Sequence, residues 1–377
     1  MVFFGIDIHK SYLVATALGE DGELEQRKLL NDREELSSYF RVYDGERKAV
    51  VEATSNWQWF CDFLEDEGIE AVLAHPLKTK AIASAKIKTD KIDSKMLAYL
   101  LSADLIAPAW LAPAEIRQKR DLLRYRASLV KIQTGIKNRI HSLLIRNNIQ
   151  HEFTDLFGKA GMAFLARVGL PGVHRLALDG YLSLIAEIRL NIKEVDGRIK
   201  EEVAASAAAR LLMTMPGVGY FFSLLIDAEI GDIDRFPSSR HLCSYGGLIP
   251  STSSSGGKTY HGRITKQGSV WLRWAMVEAA TIAAKYPGPI RDYYLRMKKR
   301  KGTQIARVAT ARKMLSWVYY MLAEEKTFDQ VMSDIGSPGR ARDEAGVNTA
   351  SLIGQPRSIG NIVHCLRRHE GVLGRSP

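Results

Sequence analysis

Three short apolar, β-branched segments open the chain: Val2 to Ile8, Tyr12 to Leu18 and Leu24 to Leu30, the last two separated by Gly19-Glu20-Asp21-Gly22. Apolar segments bounded by turn residues predict strands. Asp32 stands where a helix N-cap belongs, ahead of Leu36, Tyr39 and Phe40 at helical spacing. Ala49-Val50-Val51 predicts a buried strand ending at Glu52, and Trp57, Phe60, Cys61 and Leu64 share one face of a predicted helix. Ala71-Val72-Leu73-Ala74 predicts another buried strand, closed by His75-Pro76. A helix follows from about Asp90 to Leu101.

After Ala107-Pro108 to Pro113, which reads as a linker, the period changes. Leu122, Leu129, Ile136 and Leu143 repeat every seven residues, with Tyr125, Ile132 and Ile140 between them, predicting one long helix over 114–147. A second helical run carries Leu182, Ile185, Ile188, Ile192, Val195 and Ile199. The two helices fit an antiparallel pair within one chain or a zipper between two chains. A third region, from about Leu211 to Glu325, contains the Gly- and Ser-rich stretch Tyr245 to Gly268, read as a loop. From about Gly336 the periodicity is lost. The expected class is α/β plus all-α. An RNase H-like domain spans 1–106, since three strands followed by alternating helices and strands have that order. A long-helix coiled-coil region spans 114–205, a mostly helical C-terminal domain 206–330, and a loosely ordered tail 336–377.

With 46% hydrophobic residues the chain is globular. Its 53 Lys+Arg against 42 Asp+Glu leave a formal charge of +11, which suits a polyanionic partner. The 3 cysteines, Cys61, Cys243 and Cys365, form no CxxC pair, which argues against a zinc ribbon or a disulfide scaffold. The N-terminal apolar run meets Asp7 with no basic region before it, unlike a signal peptide. No apolar run reaches membrane-spanning length. The expectation is a cytoplasmic protein with no membrane association.

Asp7 lies inside a hydrophobic strand, where an unpaired charge is costly. Glu52 ends another strand, and the two can meet if those strands are neighbours. Asp90 and Asp93, three apart at a helix start, share a face. Singly, Asp90 fits an N-cap, Asp93 a helix-dipole partner and Glu52 a solvated strand end. Together, four converging carboxylates repel, by about 4 kcal/mol per pair at 4 Å in an effective dielectric near 20. A divalent cation removes that cost, and oxygen ligands favour Mg²⁺ or Mn²⁺. Such ions can activate an attacking oxygen and stabilise a leaving one in phosphodiester chemistry. Lys78, Lys80, Lys86, Lys88, Lys91 and Lys95 surround the pair and suit a phosphate backbone, or form a solvated basic loop.

Gly5-Ile6-Asp7-Ile8-His9-Lys10, Val51-Glu52-Ala53-Thr54 and Lys88-Thr89-Asp90-Lys91-Ile92-Asp93-Ser94 resemble the signature of the DEDD transposases, insertion-sequence family one hundred and ten, which includes the Piv-like DNA recombinases. The resemblance continues in Tyr245-Gly246-Gly247-Leu248-Ile249-Pro250, Ser255-Gly256-Gly257-Lys258, His261 to Gly268 and Trp271-Leu272-Arg273-Trp274, and covers roughly residues 2 to 325. It implies a RuvC-like N-terminal domain holding Mg²⁺ through Asp7, Glu52, Asp90 and Asp93. It also implies a serine nucleophile at Ser255, a structured non-coding guide RNA that pairs with donor and target DNA, and a homo-oligomer, a dimer or tetramer. The setting implied is a bacterial or archaeal nucleoid.

Read from its residues, Ser251 to Lys258 is a hydroxyl-rich turn, and a lone serine needs activation. Ser253 and Ser254 stand beside Ser255 as alternative nucleophiles, and Lys258, Arg263 and Lys266 could clamp phosphate oxygens. Met215-Pro216-Gly217-Val218-Gly219 resembles a helix-hairpin-helix turn, whose backbone N–H groups can meet a phosphate, or a plain glycine-ended helix connection. Arg117, Lys119, Arg120, Arg124, Arg126, Lys131, Lys137, Arg139 and Arg146 make the long helix strongly basic, as a nucleic-acid contact would be. Arg273 is a further candidate contact, and Arg296 to Lys301 beside Tyr293 and Tyr294 form a second basic cluster. The expectation is a DNA recombinase. The alternatives are a metal-dependent junction-resolving endonuclease using the carboxylates alone and a non-catalytic RNA-binding or architectural protein.

Overall fold

The computed structural model describes residues 1–19, 21–22, 24–53, 56–82, 89–255 and 258–336. They fall into two compact units, one over Met1–Glu115 and one beginning at Ile116.

In the first unit, β1 (Val2–Ile8), β2 (Tyr12–Leu18) and β3 (Leu24–Leu30) lead to α1 (Arg33–Phe40), β4 (Arg47–Glu52), α2 (Trp57–Asp66), β5 (Glu70–Ala74), α3 (Pro76–Ile82) and α4 (Asp90–Ser102). The strands form one sheet in the order β3-β2-β1-β4-β5, antiparallel from β3 to β1 and parallel from β1 to β5. Strand alternation sorts β1 onto two faces. Phe4, Ile6 and Ile8 join a buried cluster with Leu36 and Phe40 of α1 and Trp57, Phe60 and Leu64 of α2. Gly5 and Asp7 face the other way, towards α4, where Val50 and Ala74 pack with Leu97 and Leu101. Asp32 caps α1 as expected, accepting from the backbone N–H groups of Glu34 and Glu35.

Two local expectations change. Residues 107–111, read as a linker, run along the edge of β5: His75 N–H donates to the Ala107 carbonyl at 3.0 Å, Ala109 N–H to the Leu73 carbonyl at 3.0 Å, and Leu111 is buried. An exposed strand edge is thereby covered. Helix α3 has no counterpart in the sequence reading, because seven residues are too few to show a helical period.

The second unit holds α5 (Ala114–Arg146, entering from the first unit), α6 (Lys159–Leu165), α7 (Gly172–Ala205), α8 (Ala207–Leu212), α9 (Tyr220–Ile230) and α10 (Ser239–Tyr245). The hairpin β6 (Pro250–Ser255) and β7 (Lys258–Ile264) follows, then α11 (Val270–Ala283), α12 (Pro289–Lys301), α13 (Thr303–Ala323) and α14 (Phe328–Gly336). Helices α5 and α7 are antiparallel partners within the chain. Lys119 meets Glu202 at 3.3 Å, Arg126 meets Asp196 at 2.5 Å, and Asn147 meets His174 at 2.9 Å. Of the seven-residue repeat, Leu129, Ile136 and Leu143 are buried and Leu122 half-buried; of the residues between, Ile140 is buried, whereas Tyr125 and Ile132 remain about half exposed. One apolar cluster runs from Leu123 to Val331, so the border expected near residue 206 falls inside a continuous core. The expected tail over 336–377 lies outside the described residues beyond Gly336. Among the described residues no helix is long and apolar enough to cross a membrane.

Candidate metal centre and nucleic-acid interface

Register brings the acids together. Strands β1 and β4 are parallel neighbours with Ile6 beside Val51, so Asp7 and Glu52 follow one position further along each strand. Helix α4 begins at Asp90, with Thr89 as its N-cap accepting from Ile92 N–H, and presents Asp90 and Asp93 in its first turn. Burial pushes the Asp7 carboxyl above its ordinary pKa, His9 draws it back, and the charges of Asp90, Asp93 and Glu52 push it up further. The charges of Glu52, Asp90 and Asp93 thus all act on Asp7, whereas the close group of possible ligand atoms includes Asp90 but neither Glu52 nor Asp93.

The helix is seated by polar contacts as well as apolar ones. Thr16 Oγ1 and Ser94 Oγ, both fully buried, are hydrogen-bonded at 2.9 Å. Gln26 Nε2 donates to Thr16 Oγ1 at 2.9 Å and to the Lys91 carbonyl at 2.8 Å. Gly5 lies directly beneath the backbone of α4, where any side chain would collide with it.

Two residues absent from the sequence-derived set complete this site. His9 Nε2 lies 3.3 Å from Asp7 Oδ2 and 3.2 Å from Asp90 Oδ2. Tyr12 donates its hydroxyl to Asp90 Oδ2 at 3.0 Å, which raises the tyrosine pKa. A signal for His9 existed: in a strand, i and i+2 share a face, and His9 stands two beyond Asp7. Asp7 Oδ2, His9 Nε2 and Asp90 Oδ2 offer three ligand atoms within 4.8 Å of one another. His9 Nε2 is shielded from solvent yet makes no hydrogen bond of acceptable geometry among the described residues. Crowded carboxylates and a solvent-shielded imidazole nitrogen without a hydrogen-bond partner are what a divalent cation would relieve, so these residues fit a metal.

In the second unit the serine stretch is a β-hairpin, a correction to its reading as a flexible loop. Ser255 pairs with Lys258, Ser254 with Thr259 and Ser253 with Tyr260. The side chains of Ser254 and Ser255 are exposed near its tip; those of Ser253, Lys258 and His261 lie outside the described set. The base of the hairpin is clamped by backbone: Lys266 N–H donates to the Gly247 carbonyl at 3.2 Å and Ser269 N–H to the Tyr245 carbonyl at 2.8 Å. Gly268, at φ 95, is required there, because a Cβ would fall 2.1 Å from the Tyr245 carbonyl oxygen. Arg263 and Lys266 are exposed, while Arg273 donates to the Gly246 carbonyl at 3.1 Å.

The basic helix α5 divides into two sets. Arg120 is buried: its Nε donates to the Ala228 carbonyl at 2.8 Å and its Nη2 to the Glu229 carbonyl at 3.2 Å, satisfying the last turn of α9. Arg124 pairs at 2.9 Å with the buried Glu229 carboxylate, whose other oxygen accepts from Ser269 Oγ at 2.8 Å. Arg126 and Lys119 are engaged by Asp196 and Glu202 of α7. Arg120, Arg124 and Arg126, expected to face a nucleic-acid backbone, are thus engaged within the unit by α9 and α7, Arg120 buried and the other two half-buried. Lys131, Arg139 and Arg146 are exposed, Arg117 is half-buried, and Lys137 Nζ lies 5.1 Å from the Phe157 ring centroid. Gly217 sits in the α8–α9 turn against the backbone of α11, and Gly219 caps α9 with open space at its Cβ position. The exposed basic end of α12 includes Arg296 and Lys298 to Lys301. Lys91 is exposed on α4, and Lys88 lies outside the described residues.

Comparison with known proteins bears on both units. Residues 4–148 match the DEDD transposase family of IS110, and residues 209–295 match the transposase IS116/IS110/IS902 family. The chain is 26% identical over 343 residues to a transposase for insertion sequence element IS1111A from Coxiella burnetii, covering 86% of this chain and 90% of that protein. It is 30% identical over 213 residues to an insertion element IS116 protein from Streptomyces clavuligerus, covering 55% of this chain and 52% of that one. A pilin gene-inverting protein from Moraxella lacunata is 25% identical over 292 residues, covering 74% and 81%.

Proposed function

We propose, from the premise that this chain is an insertion-sequence transposase of the IS110/IS116/IS902 family, that it cuts and exchanges DNA strands with a carboxylate-held divalent ion and a serine nucleophile. The observation that supports the reading is the grouping of Asp7 and Asp90 with His9, with Glu52 and Asp93 near enough for their charges to act on Asp7. The strand order β3-β2-β1-β4-β5 supports an RNase H-like, RuvC-like assignment for the first unit.

In this reading Asp7, Glu52, Asp90 and Asp93 hold Mg²⁺ or Mn²⁺. The ion supplies charge neutralisation at a phosphodiester and a lower pKa for an oxygen bound to it. Ser255 Oγ, exposed near the tip of the β6–β7 hairpin, attacks phosphorus. The serine–phosphorus ester forms, the P–O bond of the strand breaks, the leaving oxygen takes up a proton, and the hydroxyl proton passes to a base or water. The phosphoserine ester keeps the bond energy for rejoining, which hydrolysis by a simple nuclease would discard.

The exposed cations Lys131, Arg139, Arg146, Arg263 and Lys266 suit a phosphate backbone. The family resemblance adds a structured guide RNA and a homo-oligomer acting on donor and target DNA. The test is trapping on the element's DNA ends with sequencing of co-purified RNA. A covalent adduct mapped to Ser255 is the expected result; cleavage without any adduct leaves the carboxylates as sole catalysts, as in a junction nuclease.

A further inference from the structure

The four-carboxylate reading leaves out a side chain that the fold fixes with some care. The backbone of His9 is held on three sides: its N–H donates to the Tyr12 carbonyl at 2.8 Å, and its carbonyl accepts from Asn31 Nδ2 and Asn56 Nδ2, each at 2.9 Å. Its ring lies against Tyr12, with centroids 4.6 Å apart and planes 30° from parallel. Tyr12 is itself tied down by its bond to Asp90 and by Lys28 Nζ, 3.7 Å from the ring centroid. An imidazole so constrained loses little entropy on engaging a ligand.

Its Nε2 is aimed between two carboxylate oxygens, at 3.3 and 3.2 Å, without hydrogen-bond geometry to either. An octahedral ion with bonds of about 2.1 Å sets its adjacent ligand atoms about 3 Å apart. The observed spacing, that of an ion-pair contact, also fits neighbouring ligands round a common ion. Exposure grades outward: the Asp7 side chain is 11% exposed, that of His9 36% and that of Asp90 44%. The ion would be seated on Asp7 with its outer face towards substrate.

We propose that His9 Nε2 is a ligand of the divalent ion shared by Asp7 and Asp90, making the centre a mixed nitrogen–oxygen site that selects Mn²⁺ over Mg²⁺. The proposal rests on the carboxylate-held ion of the preceding section. Imidazole is a borderline donor that suits first-row transition ions, whereas Mg²⁺ prefers oxygen and retains its waters. His9 thereby becomes a specificity-determining residue that the acidic signature alone does not contain.

Pulsed electron paramagnetic resonance of the full chain with Mn²⁺ as probe tests this, together with Mn²⁺ and Mg²⁺ binding isotherms. Directly coordinated ¹⁴N should modulate the signal in the unaltered protein. His9→Gln should abolish that modulation, weaken Mn²⁺ by about tenfold, the scale on which residues supporting a metal site act, and weaken Mg²⁺ less. Absence of ¹⁴N coupling in the unaltered protein overturns the proposal without recourse to any variant, as does coupling retained by His9→Gln or unchanged Mn²⁺/Mg²⁺ selectivity. Asp7→Asn separates the parent reading: it should lose the ion, and Mn²⁺ binding as in the unaltered protein would defeat the carboxylate site itself.

Discussion

Gly5 and Ser94 meet backbone to backbone: a Cβ on Gly5 would lie 1.9 Å from the Ser94 carbonyl oxygen and 2.4 Å from the Ala98 nitrogen. The acids of α4 reach Asp7 because the strand beneath the helix has no side chain at that point. Gly5→Ala should force α4 off the sheet, costing about 1–3 kcal/mol or more as overpacking does, and should weaken divalent-ion binding in parallel. Urea unfolding and a metal isotherm on the same preparation check it. A stable variant with unchanged ion affinity would show that α4 has room to shift without moving Asp90 and Asp93.

Asp7 trades stability for charge. Its carboxyl is buried and surrounded by like charge, so ionisation strains the fold without a cation. With chelator present, Asp7→Asn should melt at a higher temperature than the unaltered protein. Added Mn²⁺ or Mg²⁺ should raise the melting temperature of the unaltered protein and not that of the variant, which should also lose strand cleavage. Equal stabilisation of both by the ion, in a calorimetric scan, would place the binding elsewhere.

Arg120 and Arg139 lie on one helix and should behave in opposite ways. Arg120→Ala removes the buried donor to the Ala228 carbonyl, while Glu229 keeps Arg124, Ser269 and Arg235, so the loss should be about 1–3 kcal/mol, the cost of a buried acceptor left unsatisfied. Arg139→Ala, with Lys131→Ala, should leave stability within about 0.5 kcal/mol and lower the salt dependence of nucleic-acid binding by a slope of roughly one per lost contact. Denaturant curves beside filter binding at several salt concentrations separate the two. An unchanged slope for the double variant would remove this face of α5 from the interface.

Ser255→Ala deletes one exposed oxygen from a hairpin and should scarcely alter stability. The covalent adduct and strand exchange should vanish while ion binding at Asp7 persists. Peptide mapping of a trapped complex reads the position, and an adduct on Ser254 would move the nucleophile by one residue. Recombination undiminished with every hydroxyl from Ser251 to Ser255 removed would refute a serine mechanism.

Gly268→Ala should act on the same chemistry from a distance. The added methyl meets the Tyr245 carbonyl and demands φ 95 of an alanine, which loosens the clamp at the base of the hairpin. The adduct should form more slowly, with ion affinity at the first unit unchanged. Equal adduct rates in a single-turnover assay would mean that the hairpin is positioned by something other than its base.

The sequence by itself determined the five strands of the first sheet, helices α1, α2, α4 and α5 with the apolar run of α7, and the acids on which the proposed chemistry rests. Period-two and period-3.6 burial are local properties, and an acid within an apolar strand is conspicuous in one dimension. It also carried the family resemblance, which the matches over 4–148 and 209–295 bear out. Tertiary structure alone decided which charges are used up inside. Nothing in the sequence of α5 distinguishes Arg120, spent on the end of α9, from Arg139, exposed to solvent, because the partners of Arg120 lie 108 and 109 residues away. Tertiary structure also turned the serine stretch from a loop into a hairpin, since cross-strand pairing and the closure at Gly268 outweigh a composition poor in strand formers. His9 belongs with them: its place two residues beyond Asp7 hints at a shared face, but only the fold brings Asp90 to 3.2 Å from its Nε2.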